Sequence, residues 1–333
     1  MLNPLSRPDA KTLTPVEFLR RRTAWKLQET LFWMVALGAL FVLPNRAALL
    51  NEIAILGLLA LSLDLILGYA GIVSLGQAAF FGFGAYAAGL FAKSVSAEPV
   101  TGLVFAMAAS GLLGFLTSFL IIRGTDLTRL MVTLGVALIV YEVANRLEWL
   151  TGGADGLLGI AMGPILGLFA FDFLGRTAYL YSLVVLFLLF LLARRVVHSP
   201  FGLSLRALKD NRLRAASIGI SPARRLIMIY ALSAAYAGAS GALLTQTTAF
   251  VSLEVLDFGK SADGLLVLVI GGTGYLYGGL IGAIAFKLMK DLLSGLTPAY
   301  WLFWMGLFLV VLVMIGRERI FDRLRRLAGR AGP

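Results

Sequence analysis

The stretch from Gly264 to Met289, GLLVLVIGGTGYLYGGLIGAIAFKLM, decides how this chain is read. Its two arms are apolar enough to lie in hydrocarbon, where about 20 such residues make one crossing. Its middle, Gly271-Gly272-Thr273-Gly274-Tyr275-Leu276-Tyr277-Gly278-Gly279, is too rich in glycine to hold a regular helix. Lipid offers no hydrogen bonds, so backbone that leaves the helix at membrane depth must be buried in protein or line a cavity. The stretch therefore predicts a broken element, either a re-entrant pair or two short helices. Gly271, Gly272, Gly274 and Gly278 are its helix-break residues.

Working outward, further apolar runs lie near 31–50, 52–69, 72–92, 100–122, 127–145, 178–197, 226–250 and 299–316. The first contains Pro44, which interrupts its hydrogen-bond ladder. With 59% hydrophobic and 14% charged residues among 333, the chain reads as an all-α polytopic membrane protein. The runs predict 8–10 transmembrane helices, the glycine-broken segment included.

The net charge is +11, and its placement reports topology. Of 29 basic residues, 20 fall in three stretches: six in 1–30, eight in 194–225 and six in 317–333. A face that binds nucleic acid would not be divided by lipid-soluble spans. Clusters beside apolar runs instead follow the positive-inside rule and place all three stretches in the cytoplasm. With the N-terminus inside, the sixth run ends at Arg194-Arg195 on the correct side. A single crossing at 264–289 would then leave the basic C-terminal stretch outside, whereas a broken pair restores it. The expected organisation is a cytoplasmic basic segment 1–30, a membrane domain 31–316 with a cytoplasmic loop 198–225, and a cytoplasmic basic tail 317–333. The first 30 residues hold no short apolar core before a cleavage site, so no cleavable leader is expected.

Several chemistries are excluded. There is no cysteine, and His198 is the single histidine, so disulfides, thiolate metal sites and histidine-ligated metals are not expected. No G-x-x-x-x-G-K-[ST] phosphate loop occurs, so ATP must be hydrolysed elsewhere if it is used. No paired catalytic groups share one depth, and an enzyme is not expected.

The polar residues that remain inside apolar runs are costly, and functional unless paired. Asp64 lies in mid-run, with Ser74, Gln77 and Tyr86 in the next. They are candidates for a translocation path, with an interhelical hydrogen bond as the alternative. Glu142 and Arg146 stand four apart and can form a local ion pair. Small residues recur at four-residue spacing in Ala234, Gly238, Ala242 and in Gly274, Gly278, Gly282, a pattern suited to close helix packing in lipid. Charged residues at Glu254, Asp257, Lys260 and Asp263 are assigned to an outer loop, 249–263. In the loop 194–225, Leu203–Ile220 reads as a short helix ended by Gly219, with Leu205, Leu208, Leu213, Ala216 and Ile220 on one face and Arg206, Arg212 and Arg214 elsewhere. A cytoplasmic helix with an apolar knob and a cationic rim suits docking into a groove of another protein, or lying on anionic headgroups.

The run Leu208-Lys209-Asp210-Asn211-Arg212-Leu213-Arg214-Ala215-Ala216-Ser217-Ile218-Gly219-Ile220 resembles the coupling loop of LivM-type branched-chain amino acid ABC permeases. The block Leu61–Tyr86, the motif Thr151-Gly152-Gly153-Ala154-Asp155-Gly156-Leu157 and the broken Gly271–Gly279 segment are similar to the same family, in order, over about residues 50–316. In that family Asn is frequent at the place of Asp64, His at that of Gln77, and an acid at that of Arg212. The resemblance implies an ABC importer permease architecture that translocates branched-chain amino acids, or related small amino acids or amides. It implies an ATPase-coupling loop carried by Arg206, Ala207, Asp210, Arg212, Ala215, Ala216 and Gly219, and a periplasmic loop motif carried by Gly152, Gly153, Asp155 and Gly156. It implies as partners a second, LivH-like permease, two cytosolic ATPase subunits and a periplasmic binding protein, with no cofactor on this chain beyond ATP on those ATPases. The location implied is the bacterial inner membrane, with both termini cytoplasmic. The alternative is a self-contained secondary transporter or channel for a small polar solute, which would need coupled intramembrane carboxylates and usually an inverted repeat.

Overall fold

A computed structural model describes residues 27–315, apart from 123, 125, 173 and 299. The basic segments at either end of the chain lie almost wholly outside the described residues. Residues 1–44 and 45–333 form two separate units. The first contributes one described helix, α1 (Leu27–Val42). It ends just before Pro44, so the apolar run 31–50 is split, because proline cannot donate the next hydrogen bond of the ladder.

The second unit is helical, and among the described residues β pairing is confined to isolated bridges, Leu157 with Val251 and Ile165 with Phe169. Its helices are α2 (Ala47–Asp64), α3 (Gln77–Ser94), α4 (Pro99–Ile121), α5 (Asp126–Arg146), α6 (Arg176–Val197), α7 (Pro200–Asp210), α8 (Arg212–Ser217), α9 (Pro222–Thr248), α10 (Phe258–Gly271), α11 (Leu276–Leu296) and α12 (Trp301–Ile315). Several starts follow directly from sequence. Proline opens α4, α7 and α9 at a position where its missing N–H is not needed. The side chains of Glu98, Ser199 and Asp257 cap α4, α7 and α10.

Among the described residues five helices are long and apolar enough to cross a membrane: α2 with its flanking turns, α4, α5, α6 and α9. The pair α10 and α11 makes a further broken element, bent by 110°. Shorter helices α1, α3 and α12 occupy the remaining apolar runs. The chain is thus an all-α polytopic membrane protein.

Helix α9 is the centre of the second unit, packed against α2, α3 and α4. Its small residues permit this. A Cβ on Gly241 would overlap the carbonyl oxygen of Phe81, and one on Gly84 would meet Gly238 backbone. One on Gly114 would strike the Ala234 methyl. The Ala234-Gly238-Ala242 ladder is thus a packing surface where dispersion replaces the absent hydrophobic drive. The glycines of the broken stretch do the same job locally. Cβ atoms on Gly278 and Gly282 would overlap the carbonyl oxygens of Gly272 and Val267, so α10 and α11 fold back on each other. Helix α11 runs antiparallel to α2, with Asp291 beside Arg46 at 3.2 Å, Lys287 paired with Glu52, and Gly274 beside Asp64.

Candidate functional site

The loop after α6 holds two helices where one is expected over Leu203–Ile220. The backbone turns extended at Asn211, and the Asn211 side chain accepts from Arg214 N–H at 3.0 Å, capping α8. The break separates the residues expected on one face. Leu205 and Leu208 are buried in α7, while Leu213 in α8 and Ile218 just beyond it are 82% and 75% exposed. Ala215 is buried, Ala216 and Asp210 are exposed, and Ala207 and Arg212 are half-buried. Gly219 ends the segment at φ +87°, a conformation that favours glycine.

The inner side of α7 holds on to α2. Lys209 Nζ donates to the Gly68 carbonyl oxygen at 2.8 Å, and the Arg206 guanidinium lies 5.2 Å from the Tyr69 ring centroid, within cation–π range. Their partners sit in a π-helical turn, Leu65–Tyr69, at the end of α2. Such turns leave the regular ladder and often mark functional positions.

Asp64 opens that turn. It is wholly buried, and its Oδ1 accepts from Gly274 N–H at 2.7 Å. A Cβ on Gly68 would overlap Asp64 Oδ1 and lie 2.5 Å from the Gly274 nitrogen. Lys209, Gly68, Asp64 and Gly274 therefore form one knot that joins α7 to the break in α2 and to the break between α10 and α11. Gly271, Gly272, Gly274 and Gly278 all stand at this second break, with Gly272 and Gly274 at positive φ.

The other expected path residues are not gathered with Asp64. Gln77 Nε2 donates to Ser62 Oγ at 3.0 Å and to Ser233 Oγ at 2.8 Å, and Ser233 Oγ donates to the Ser62 carbonyl oxygen. Ser74 Oγ accepts from Gly76 N–H. Asp64, Ser74 and Gln77 are all buried. Gln77 joins α3 to α2 and α9, Asp64 joins α2 to the α10–α11 break, and this bond of Ser74 is local. Tyr86 lines a cavity of about 630 Å³ between α3, α4 and α5, walled by Phe91, Phe105, Leu113, Val143 and other apolar side chains. Glu142 and Arg146 form their exposed pair at 2.6 Å.

The Gly152–Gly156 motif is a stitch. Gly152, Gly153 and Gly156 all have positive φ, and a Cβ on Gly152 or Gly156 would overlap the carbonyl oxygen of Gly156 or Val251. Thr151 Oγ1 donates to the Ala144 carbonyl oxygen, and Leu157 N–H donates to that of Val251 at 2.7 Å. The loop after α5 is thereby tied to the loop after α9. Asp155 stands exposed on it.

One constellation was missed in the sequence. Two cavities, about 210 and 530 Å³, share Lys260, Asp263 and Lys290 in their walls. Glu52 and Lys287 line the smaller, and Glu254 and Asp257 the larger. Lys260 and Asp263 belong to the first turns of α10 and not to a loop. The signal was the spacing: Lys260 with Asp263, and Lys287 with Lys290, are each three apart, which puts each pair on one helix face.

No solved structure matches the chain. It is 30% identical to the high-affinity branched-chain amino acid transport system permease protein LivM of Escherichia coli (strain K12), over 79% of this chain and 66% of that protein. It is 28% identical to the protein of that name from Salmonella typhimurium, with the same coverage. The galactose/methyl galactoside import permease protein MglC of Salmonella typhimurium is also 28% identical, over 61% of this chain and 62% of that protein. The chain thus spans just under two thirds of the length of the LivM proteins. The family described as branched-chain amino acid transport system / permease component matches residues 45–316, the whole of the helical unit just described, and the chain belongs to it.

Proposed function

We propose that the chain is the membrane-spanning permease subunit of an ABC importer, moving branched-chain amino acids with energy from separate ATPase subunits. The observation that carries this is the two-sided α7–α8 segment. Leu213 and Ile218 stand out beside Arg212 and Arg214, a shape suited to a groove on a partner. Its other side is bonded through Lys209 to the break in α2. A partner that closes on this segment with different contacts in its ATP-bound and free states shifts the population of helix arrangements. The remaining subunits are a second, LivH-like permease, two cytosolic ATPases and a periplasmic binding protein, in a bacterial inner membrane. Folding α10 back on α11 supports cytoplasmic placement of both termini, so reporter fusions at residues 5 and 330 are expected to report one side. Opposite sides would mean the broken stretch crosses once.

The similarity to a galactoside permease makes a sugar the second substrate reading. Uptake of labelled leucine and galactose, each competed by the other, separates the two.

Leu213→Asp and Ala216→Asp place a carboxylate on the docking knob. Each is expected to reach the membrane in wild-type amount while association with the ATPase falls at least about tenfold, the loss expected for a desolvated charge without a partner. Normal co-purification of the ATPase with both variants would remove α8 from the interface.

A further inference from the structure

We propose that the two adjacent cavities on α10 and α11 bind a free amino acid as a zwitterion, carboxylate on Lys260 and Lys290, ammonium on Asp263, and side chain on an apolar floor. This inference rests on the permease reading above and names where its cargo pauses.

The floor comes first. Ile55, Leu56 and Leu59 of α2, Phe81 of α3, Leu244 of α9 and Phe286 of α11 line the smaller cavity. At about 210 Å³ it is smaller than the roughly 300–1,000 Å³ of pockets for drug-sized ligands, and its size suits a small solute. Above this floor the wall becomes charged. Lys260 and Asp263 face it from α10, and Lys287 and Lys290 from α11. Lys287 is taken by Glu52, which closes the α2 side.

Charged groups inside a membrane domain are costly unless they pair with one another or meet a charged ligand. Both signs are present here within one small space: Lys260, Lys287 and Lys290 against Glu52 and Asp263 in the smaller cavity, with Glu254 and Asp257 added in the larger. A sugar offers neutral hydroxyls and matches neither sign. An amino acid with a branched aliphatic side chain brings one carboxylate, one ammonium and an apolar tail, which matches the lysines, Asp263 and the floor in turn.

Position supports the same assignment. The larger cavity is walled by Ser252, Glu254 and Asp257 from the loop after α9, and it shares Lys260, Asp263 and Lys290 with the smaller one. At 1.5 Å per residue the Asp64 knot lies about 7.5 Å further along α2 than Leu59. A solute in the smaller cavity therefore rests between the loop side and the helix breaks that Lys209 holds. The large apolar cavity around Tyr86 has no comparable charge in its walls, and it is not assigned to the cargo.

The test uses the full-length chain in lipid nanodiscs. Because it has no native cysteine, Leu56→Cys provides a single thiol on the cavity floor. Leucine is expected to slow labelling of this thiol by a small maleimide about tenfold, with glycine and galactose far less effective. Isocaproate and isoamylamine each lack one head charge and are expected to protect weakly. Asp263→Asn or Lys260→Met, added to Leu56→Cys, is expected to raise the leucine concentration for half-protection about tenfold or more. The thiol reads its own cavity, so a misfolded variant declares itself by a changed labelling rate without leucine. A thiol that never reacts, a rate that leucine leaves unchanged, or protection unaltered in both charge variants overturns the site. If the assembled importer still takes up leucine through those variants at wild-type rate, the site fails and the permease reading stands. If wild-type importer takes up no leucine, the permease reading itself fails.

Discussion

Gly241→Val is expected to remove the chain from the membrane fraction. The added Cβ falls on the carbonyl oxygen of Phe81 and 2.9 Å from the Ala85 nitrogen, both of them backbone, so no rotamer change relieves the overlap. Helices α3 and α9 must separate, and Gly84 and Gly238, which touch one register away, lose contact with them. Overpacking alone costs about 1–3 kcal/mol and more where backbone must move. The hydrogen bonds of Gln77 and Thr245 across the same seam would be lost as well, each leaving a buried group worth about 1–3 kcal/mol unsatisfied. Together these approach the roughly 5–15 kcal/mol that holds a typical domain folded. Gly135→Ala is the control, since nothing lies within 4 Å of its Cβ and helix propensity favours alanine by up to about 1 kcal/mol. Comparing the two by immunoblot of solubilised membranes checks the expectation. Equal amounts would show that α3 and α9 do not pack as described.

Lys209→Met is expected to uncouple the protein without unfolding it. The substitution keeps the aliphatic stem that crosses Gly71 and removes the cation that bonds the Gly68 carbonyl oxygen. Leu205 and Leu208 still anchor α7, and Leu213 and Ile218 stay exposed. What is lost is the bond that ties α7 to the π turn, beside the Asp64–Gly274 contact. Coupling free energies of about 1–3 kcal/mol correspond to roughly 5–150-fold, so transport per ATP should fall within that range while ATPase subunits still bind. Lys209→Arg, which keeps the charge and a donor, should recover part of it. A methionine variant with an unchanged ratio of solute moved to ATP spent would show that the knot does not carry coupling.

Much of the architecture was legible because each apolar run holds a helix and lipid forbids most alternatives. The break at Gly271–Gly279 was readable from its glycines, and so was the Glu142–Arg146 pair from its spacing. The segment Leu203–Ile220 was read as one helix, and it holds two. Asn211 has ordinary helix-interior neighbours, and only its cap on Arg214 shows that it starts a new helix. Asp64 and Gln77 stood out in sequence as polar groups in apolar runs, but sequence does not say to what such groups bond. Their partners, Gly274 and Ser233, lie far along the chain. The lysines at 287 and 290 were hidden at the end of a run read as membrane-embedded, and their meaning depends on the fold-back that brings Lys260 and Asp263 opposite them.

The most direct measurement of the whole account is leucine uptake into proteoliposomes that hold this chain with its ATPases and second permease. The binding protein is supplied outside and ATP is supplied on the ATPase side. Uptake that requires both ATP and the binding protein, and that collapses no proton or sodium gradient, is the result predicted. Uptake by this chain alone, driven by an ion gradient and indifferent to ATP, would contradict it.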